Sequence, residues 1–177
     1  MKSSWSVYGY VGGAILLTVF LLVGWMRYSG DHFLRPLERV VAPATERYEA
    51  RYHPLQVYNL NGKEILLEVV TSTADMAQGL GDRDQLPANH GMLFTYDAPA
   101  VRPFWMRHMQ FPIDIIWIEK GKVVDIASRL PAPKTREEIP VTYTPQERAS
   151  WVLEIPAGAA EMYGLVVGGD VDLVPKP

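Results

Sequence analysis

The chain has 177 residues, a formal net charge of −3 and no cysteine. The missing cysteines exclude disulfides, thiolate metal sites and cysteine nucleophiles together. A faintly acidic chain without a stripe of Lys and Arg also lacks the surface that tracks phosphates, so no nucleic-acid partner is expected.

The first predicted element is a membrane anchor. The run from Val7 to Met26 carries no charge. At about 1.5 Å per residue it is long enough to cross a bilayer core. A cleaved signal peptide has a shorter apolar run and a small-x-small exit. This run instead ends in Gly24-Trp25-Met26-Arg27-Tyr28, which is too bulky for cleavage. Residues 1–28 are therefore expected to be an uncleaved single-pass transmembrane helix, with the lipid bilayer as its partner. Gly9 and Gly13 form a Gly-x-x-x-Gly pair, which allows close helix pairing, although membrane helices also tolerate glycine without it. The charge balance around the run, Lys2 on one side against Arg27, Arg35 and Arg39 on the other, argues for a cytoplasmic domain. The signal-like layout of the leader argues for an extracytoplasmic one. The latter is the expectation adopted: a domain facing the exterior of the cell envelope.

Residues 29–54 read as a juxtamembrane tether, with a short helix from Thr45 to Tyr52 stopped before Pro54. Residues 55–177 read as one domain. Leu55–Leu60 and Lys63–Val70 flank Asn61-Gly62, the strongest short hairpin signal. Ser72-x-x-Asp75 resembles a capping box opening a short helix that stops at Gly79 or Gly81. Residues 92–96 form a short apolar strand. Residues 103–109 alternate, with Phe104, Met106 and His108 on one face and Trp105, Arg107 and Met109 on the other. Residues 113–118 are a buried type of run. Lys120-Gly121 turns into a strand over 122–127. A long Pro-rich charged loop spans 130–148 and is either functional or mobile. A strand over 151–155, a short helix over 157–163 and a closing strand over 171–174 follow. Many short strands with two short helices predict a mainly β (α+β) domain, antiparallel and barrel-like or sandwich-like.

Several segments recur together in this span: Gly79-Leu80-Gly81-Asp82-Arg83, then Gly91-Met92-Leu93-Phe94, Phe104-Trp105-Met106, Pro112-Ile113-Asp114-Ile115-Ile116, and Val152-Leu153-Glu154 with Gly158. In this order they resemble the prokaryotic domain of unknown function 192 family over roughly residues 55–175. The resemblance implies membership of that family and no particular activity.

Three residue sets are candidates for chemistry. Asp114 shares a strand face with Ile116 and Ile118, and Glu154 shares one with Val152, so each carboxylate stands where an apolar side chain belongs. A buried carboxylate must be paired, hydrogen-bonded or protonated, and Arg83 is a bidentate partner for one of them. Two readings follow: a structural ion pair, or a ligand pocket or acid/base pair. Trp105 with Met106 is either core or the aromatic wall of a cleft. The third set, His90, Met92, Met106, His108 and Met109, has the softness for Cu(I), but His108 and Met109 face opposite ways on a strand, and core methionines fill gaps. No metal site or cofactor is expected. Phosphate loops, dinucleotide loops, nucleophile elbows and zincin helices are absent.

These observations favour a membrane-anchored binding or accessory module with a pocket formed by Arg83, Trp105, Met106, Asp114 and Glu154, open to a small polar or envelope ligand. The rivals are a hydrolase using Asp114 and Glu154 as acid and base, and a purely structural or interaction domain.

Overall fold

The computed structural model describes residues 53–177. The predicted anchor from Val7 to Met26 and most of the predicted tether, including its helix, lie outside the described residues. No helix among the described residues is long and apolar enough to cross a membrane.

The local signals in the first third fold as their chemistry dictates. Asn61 and Gly62 both take left-handed backbone, with φ of 50° and 84°. That geometry matches the twist of the flanking strands, and it joins β1 (Leu55–Leu60) to β2 (Lys63–Val70) with Leu60 opposite Lys63. Ser72 caps helix α1 (Thr73–Gln78): its hydroxyl accepts from the Asp75 amide at 3.2 Å and donates to the Asp75 carboxylate at 2.6 Å. The helix ends at Gly79, whose φ of 53° suits glycine.

The chain then returns in β3 (His90–Ala100) parallel to β2, with Leu66 opposite His90 and Val70 opposite Phe94. A helical crossover is what permits a parallel neighbour. This departs from the antiparallel expectation, because a crossover is invisible in the alternation of any single strand. The remaining strands of the large sheet are β5 (Ile113–Glu119), β6 (Lys122–Leu130), β8 (Ala149–Pro156) and β9 (Leu173–Pro175). Their order is β6-β5-β8-β3-β2-β1-β9.

The sheet does not close into a barrel, contrary to the barrel-like expectation. Its edge strands β6 and β9 share no ladder. The C-terminal segment links them at one end: Val123 donates to Gly169 at 2.9 Å and Val171 to Gly121 at 2.7 Å, after which Lys176 donates to Val57 at 2.8 Å. Nor is the domain a sandwich of comparable sheets. The second sheet is a ribbon of β4 (Phe104–Trp105) and β7 (Thr142–Tyr143). Closure depends on strand tilt and stagger across the whole sheet, which no local pattern encodes.

The predicted strand over 103–109 stops after Trp105. His108, with φ of 57°, turns the backbone, and the alternation fails with it: Met106 and Met109 are both buried.

Both faces of the large sheet are covered, which explains the unbroken burial of β5 from Ile113 to Ile118. On one face Leu67, Leu93, Ile116 and Leu153 pack with Ala159 and Ala160 of helix α2 (Ala159–Met162). On the other, Val70, Phe94, Trp117 and Val152 pack with Leu80 and Met106. Asp114 belongs to the first face. Gly158, the N-cap of α2, has no side chain to cap with. Asp114 takes that role from β5, its Oδ2 accepting from the Ala160 amide at 2.9 Å. Its Oδ1 accepts from the Arg129 amide at 2.7 Å, where β6 bulges and Arg129 has a φ of 53°. Gly158 has a φ of 85°, a left-handed backbone that favours glycine.

Asp114→Ala strips one buried and one partly buried amide of a charged acceptor. At about 1.5–3 kcal/mol for each such bond, urea denaturation should show a loss of roughly 3–5 kcal/mol. A change within about 0.5 kcal/mol would remove Asp114 from this structural role.

Candidate functional site

The opposite face carries a row of side chains running across the strands. Glu68 on β2 lies opposite Met92 on β3, and Met92 lies opposite Glu154 on β8. With strands about 4.8 Å apart, the two carboxylate-bearing residues stand roughly 10 Å apart along the row. Both are buried. Arg83, on the loop after α1, reaches into this layer and is itself 4% exposed. Its guanidinium grips Glu68 bidentately, Nη1 on Oε1 and Nη2 on Oε2, the latter at 2.9 Å. That geometry fixes the planar fork of Arg in one orientation.

Glu154 has no such partner. Its Oε2 is buried and receives no hydrogen bond among the described residues. Burial pushes its carboxyl up to about 8, and the positive charge of Arg83 opposes the shift without cancelling it. The carboxyl therefore carries its proton through most of the neutral range.

Above Glu154 is a cavity of about 30 Å³ lined by Gly79, Phe94, Phe104, Trp105 and Arg107. The glycine matters here: a Cβ at Gly79 would sit 3.8 Å from Glu154 Oε2 and 3.7 Å from the Phe94 ring. Gly79 thus stands directly beside the carboxyl in the cavity wall. Phe104 is held edge-on between Phe94, at 4.9 Å between centroids, and Trp117, at 6.1 Å. The Trp117 indole is in turn anchored by donating to the Arg102 carbonyl at 2.7 Å. Because successive strand residues point to opposite faces, Phe104 directed inward sends Trp105 outward, where it is 50% exposed. The Arg107 guanidinium lies 6.0 Å from the Trp105 ring.

A wider cavity of about 240 Å³ adjoins the first and shares Ala77, Gln78, Gly81 and Arg107 with it. Asp82 and His108 complete its lining. Both have left-handed backbone, with φ of 61° and 57°, and the Asp82 amide donates to the His108 carbonyl at 2.9 Å. The Asp82 carboxylate accepts from Arg136 at 2.7 Å and lies 3.4 Å from His108 Nδ1.

The structure thus brings together two of the five residues singled out in the sequence, Trp105 and Glu154. Arg83 stands behind the cavity rather than in its lining, Met106 is a core side chain at 2% exposure, and Asp114 projects from the other face of the sheet. The partner of Arg83 is Glu68, which sequence reasoning missed although its signal is of the same kind as Asp114's: a carboxylate inside the apolar run of β2. Gly79 and Arg107 carry no local signal of a site, since one reads as a helix stop and the other as a surface cation. Among the described residues no group of three His, Cys, Asp or Glu side chains could hold a metal ion.

Glu154 should make stability fall with pH. Below about pH 4.5, the ordinary value, the carboxyl is protonated in folded and unfolded chains alike. Between there and about 8 the unfolded chain ionises while the folded one keeps its proton, so stability is lost as pH rises and levels off above. The contribution is roughly 3–5 kcal/mol over the window, at about 1.4 kcal/mol per pH unit. Urea midpoints at about pH 5 and about pH 8 should differ more for the wild type than for Glu154→Gln. Equal differences in the two proteins would show that Glu154 titrates normally.

The fold recurs in solved structures. A protein of Sinorhizobium meliloti 1021, provisionally described as a transcription regulator, aligns with a TM-score of 0.57 at 23% identity, over 67% of this chain and 93% of that one. Likeness at that identity concerns the fold alone. A protein of unknown function from Novosphingobium aromaticivorans DSM 12444 aligns with a TM-score of 0.55 at 28% identity, over 67% of this chain and 84% of that one. No curated protein matches. The model of the family DUF192, described as uncharacterized ACR, matches residues 56–173. That span contains the Arg83–Glu68 pair, the Glu154 cavity and the Trp105 ribbon, and the chain belongs to the DUF192 family.

Proposed function

We propose that this protein is a binding module whose ligand places a polar group against Glu154 and lays its body along Trp105. The observation that carries the reading is the buried Oε2 of Glu154, which has no hydrogen-bond partner among the described residues and lines a cavity. A buried polar atom without a partner costs free energy, and a ligand group that supplies the missing hydrogen bond recovers it. A half-exposed Trp at the mouth offers a large amphipathic surface to the rest of the ligand.

The alternative of a hydrolase with Asp114 and Glu154 as acid and base is disfavoured by the sheet itself. Asp114 lies opposite Ile155, and Glu154 opposite Ile115, so the two carboxyls project to opposite faces. They do not flank one cleft, as paired-carboxylate hydrolysis requires. Asp114 is moreover occupied by two amides.

The reading keeps the anchor. The run from Val7 to Met26 holds the protein in the bilayer, and the domain faces the envelope exterior, where its ligand is found. Carbonate extraction of membranes should leave the protein in the pellet with its original N-terminus. A soluble form beginning near residue 30 would mean a cleaved leader instead.

The binding reading is tested by titrating the purified protein with a panel of soluble envelope fragments while following tryptophan fluorescence. At least one fragment should change the emission. The change should vanish in Trp105→Phe, which identifies the reporting ring among the five in the chain, and in Glu154→Gln. Silence across the panel would defeat the proposal.

A further inference from the structure

We infer that the group accepted at Glu154 is a primary ammonium, carried by a small ligand whose other end is anionic and meets Arg107. The inference rests on the binding reading above and narrows it to a ligand class.

Size comes first. The cavity over Glu154 has a volume of about 30 Å³. That is room for one or two water-sized groups. An ammonium with its first methylene fits, whereas a quaternary ammonium or a sugar ring does not. The walls come next. Phe94, Phe104 and Trp105 present aromatic rings, and Met76 and Met109 add polarizable sulfurs. Ring faces attract cations, most strongly where water is excluded. A hydroxyl gains much less from such walls.

Charge then selects the cation. The charge that acts on Glu154 is Arg83 behind it, already engaged by Glu68; Arg107 lines the cavity mouth, and the Tyr96 hydroxyl feels the Glu154 charge. From α1 the lining side is neutral, through Met76, Ala77 and Gln78. Arg83 pairs with Glu68, and Glu154 Oε2 receives no hydrogen bond among the described residues. Arg107 is exposed, and its charge is screened by solvent. A bound ammonium supplies the missing counter-charge at hydrogen-bond range.

The position of Arg107 defines the other end. It borders both cavities, and the wider one has about 240 Å³ for the remainder of the ligand. A carboxylate there pairs with the guanidinium. The ligand class is therefore an amino acid or another short zwitterion.

Binding carries a proton signature. The empty site holds a protonated carboxyl near neutral pH, and an ammonium requires the carboxylate. Each ligand bound therefore displaces the Glu154 proton to the buffer. Affinity should rise roughly tenfold per pH unit up to about 8 and then level off.

Calorimetry of the full chain with γ-aminobutyrate, γ-hydroxybutyrate and propylamine tests this, in two buffers of different ionisation heat at about pH 7. The expected result is that γ-aminobutyrate binds at least roughly tenfold more tightly than γ-hydroxybutyrate and releases close to one proton. Arg107→Ala should weaken γ-aminobutyrate by a larger factor than propylamine. Glu154→Gln should abolish both the preference and the proton release. Proton release by the wild type stands as a separate readout if that variant does not fold. Equal binding of the amino and hydroxy acids, or binding without proton release, overturns the ammonium assignment and leaves the pocket standing. The ammonium assignment also falls, with the pocket again left standing, if no amine binds while an envelope fragment still alters Trp105 emission. If neither amines nor fragments produce any response, the pocket falls with the inference.

Discussion

One guanidinium serves two buried carboxyls in the same cross-strand row, and the site depends on that imbalance. Arg83 binds Glu68 through both terminal nitrogens and acts on Glu154 through its field. The layer around them is walled by Phe94, Leu80 and Met106, none of which offers a hydrogen bond. One carboxyl is neutralised by the pair, and the other is neutralised by a proton. A second buried cation beside Glu154 would have satisfied it and filled the cavity. The arrangement as it stands leaves Glu154 Oε2 without a hydrogen bond among the described residues.

The sheet decides what each carboxylate does. Asp114 and Glu154 have the same chemistry and sit in adjacent strands within apolar runs. Their registers differ by one position, and a period of two sends them to opposite faces. On one side Asp114 meets the open N-terminus of α2 and the bulge of β6, whose amides need an acceptor. On the other, Glu154 meets the end of α1, where Gly79 and the aromatic rings donate nothing. Asp114 thereby becomes a cap that fastens a helix and a bulge to the sheet. Glu154 becomes the floor of a cavity.

The mouth of that cavity is built by irregular chain. β4 lasts two residues, pairs with β7 from the long loop, and leaves Trp105 outward over Phe104. The loop over 130–148 thus contributes structure to the site through Thr142 and Tyr143, and Arg136 from the same loop holds Asp82. Asp and His are among the residues that enter left-handed backbone most readily. Asp82 and His108 do so side by side and join the segment after α1 to the segment after β4. Together with the last turn of α1 and with β4 itself, these two segments form most of the lining of both cavities.

What the sequence determined by itself is local. Asn61-Gly62 specifies its hairpin because both residues reach positive φ at little cost, and Ser72 with Asp75 specifies the start of α1 because their side chains close on adjacent backbone. The apolar runs of β5 and β8 and the oddity of a carboxylate within each were legible for the same reason, since periodicity needs only neighbours along the chain. Tertiary structure decided everything that joins distant segments. The parallel pairing of β2 with β3, the open sheet and the end of β4 after Trp105 all depend on what packs across from each strand. So does the choice of Glu68 for Arg83, fifteen positions away in sequence, over the two carboxylates that the runs themselves suggested. Which side of a sheet a residue faces is written in its alternation, but which helix, loop or charge waits on that side is not. For Glu154 that difference separates a satisfied core residue from a carboxyl left open to a cavity.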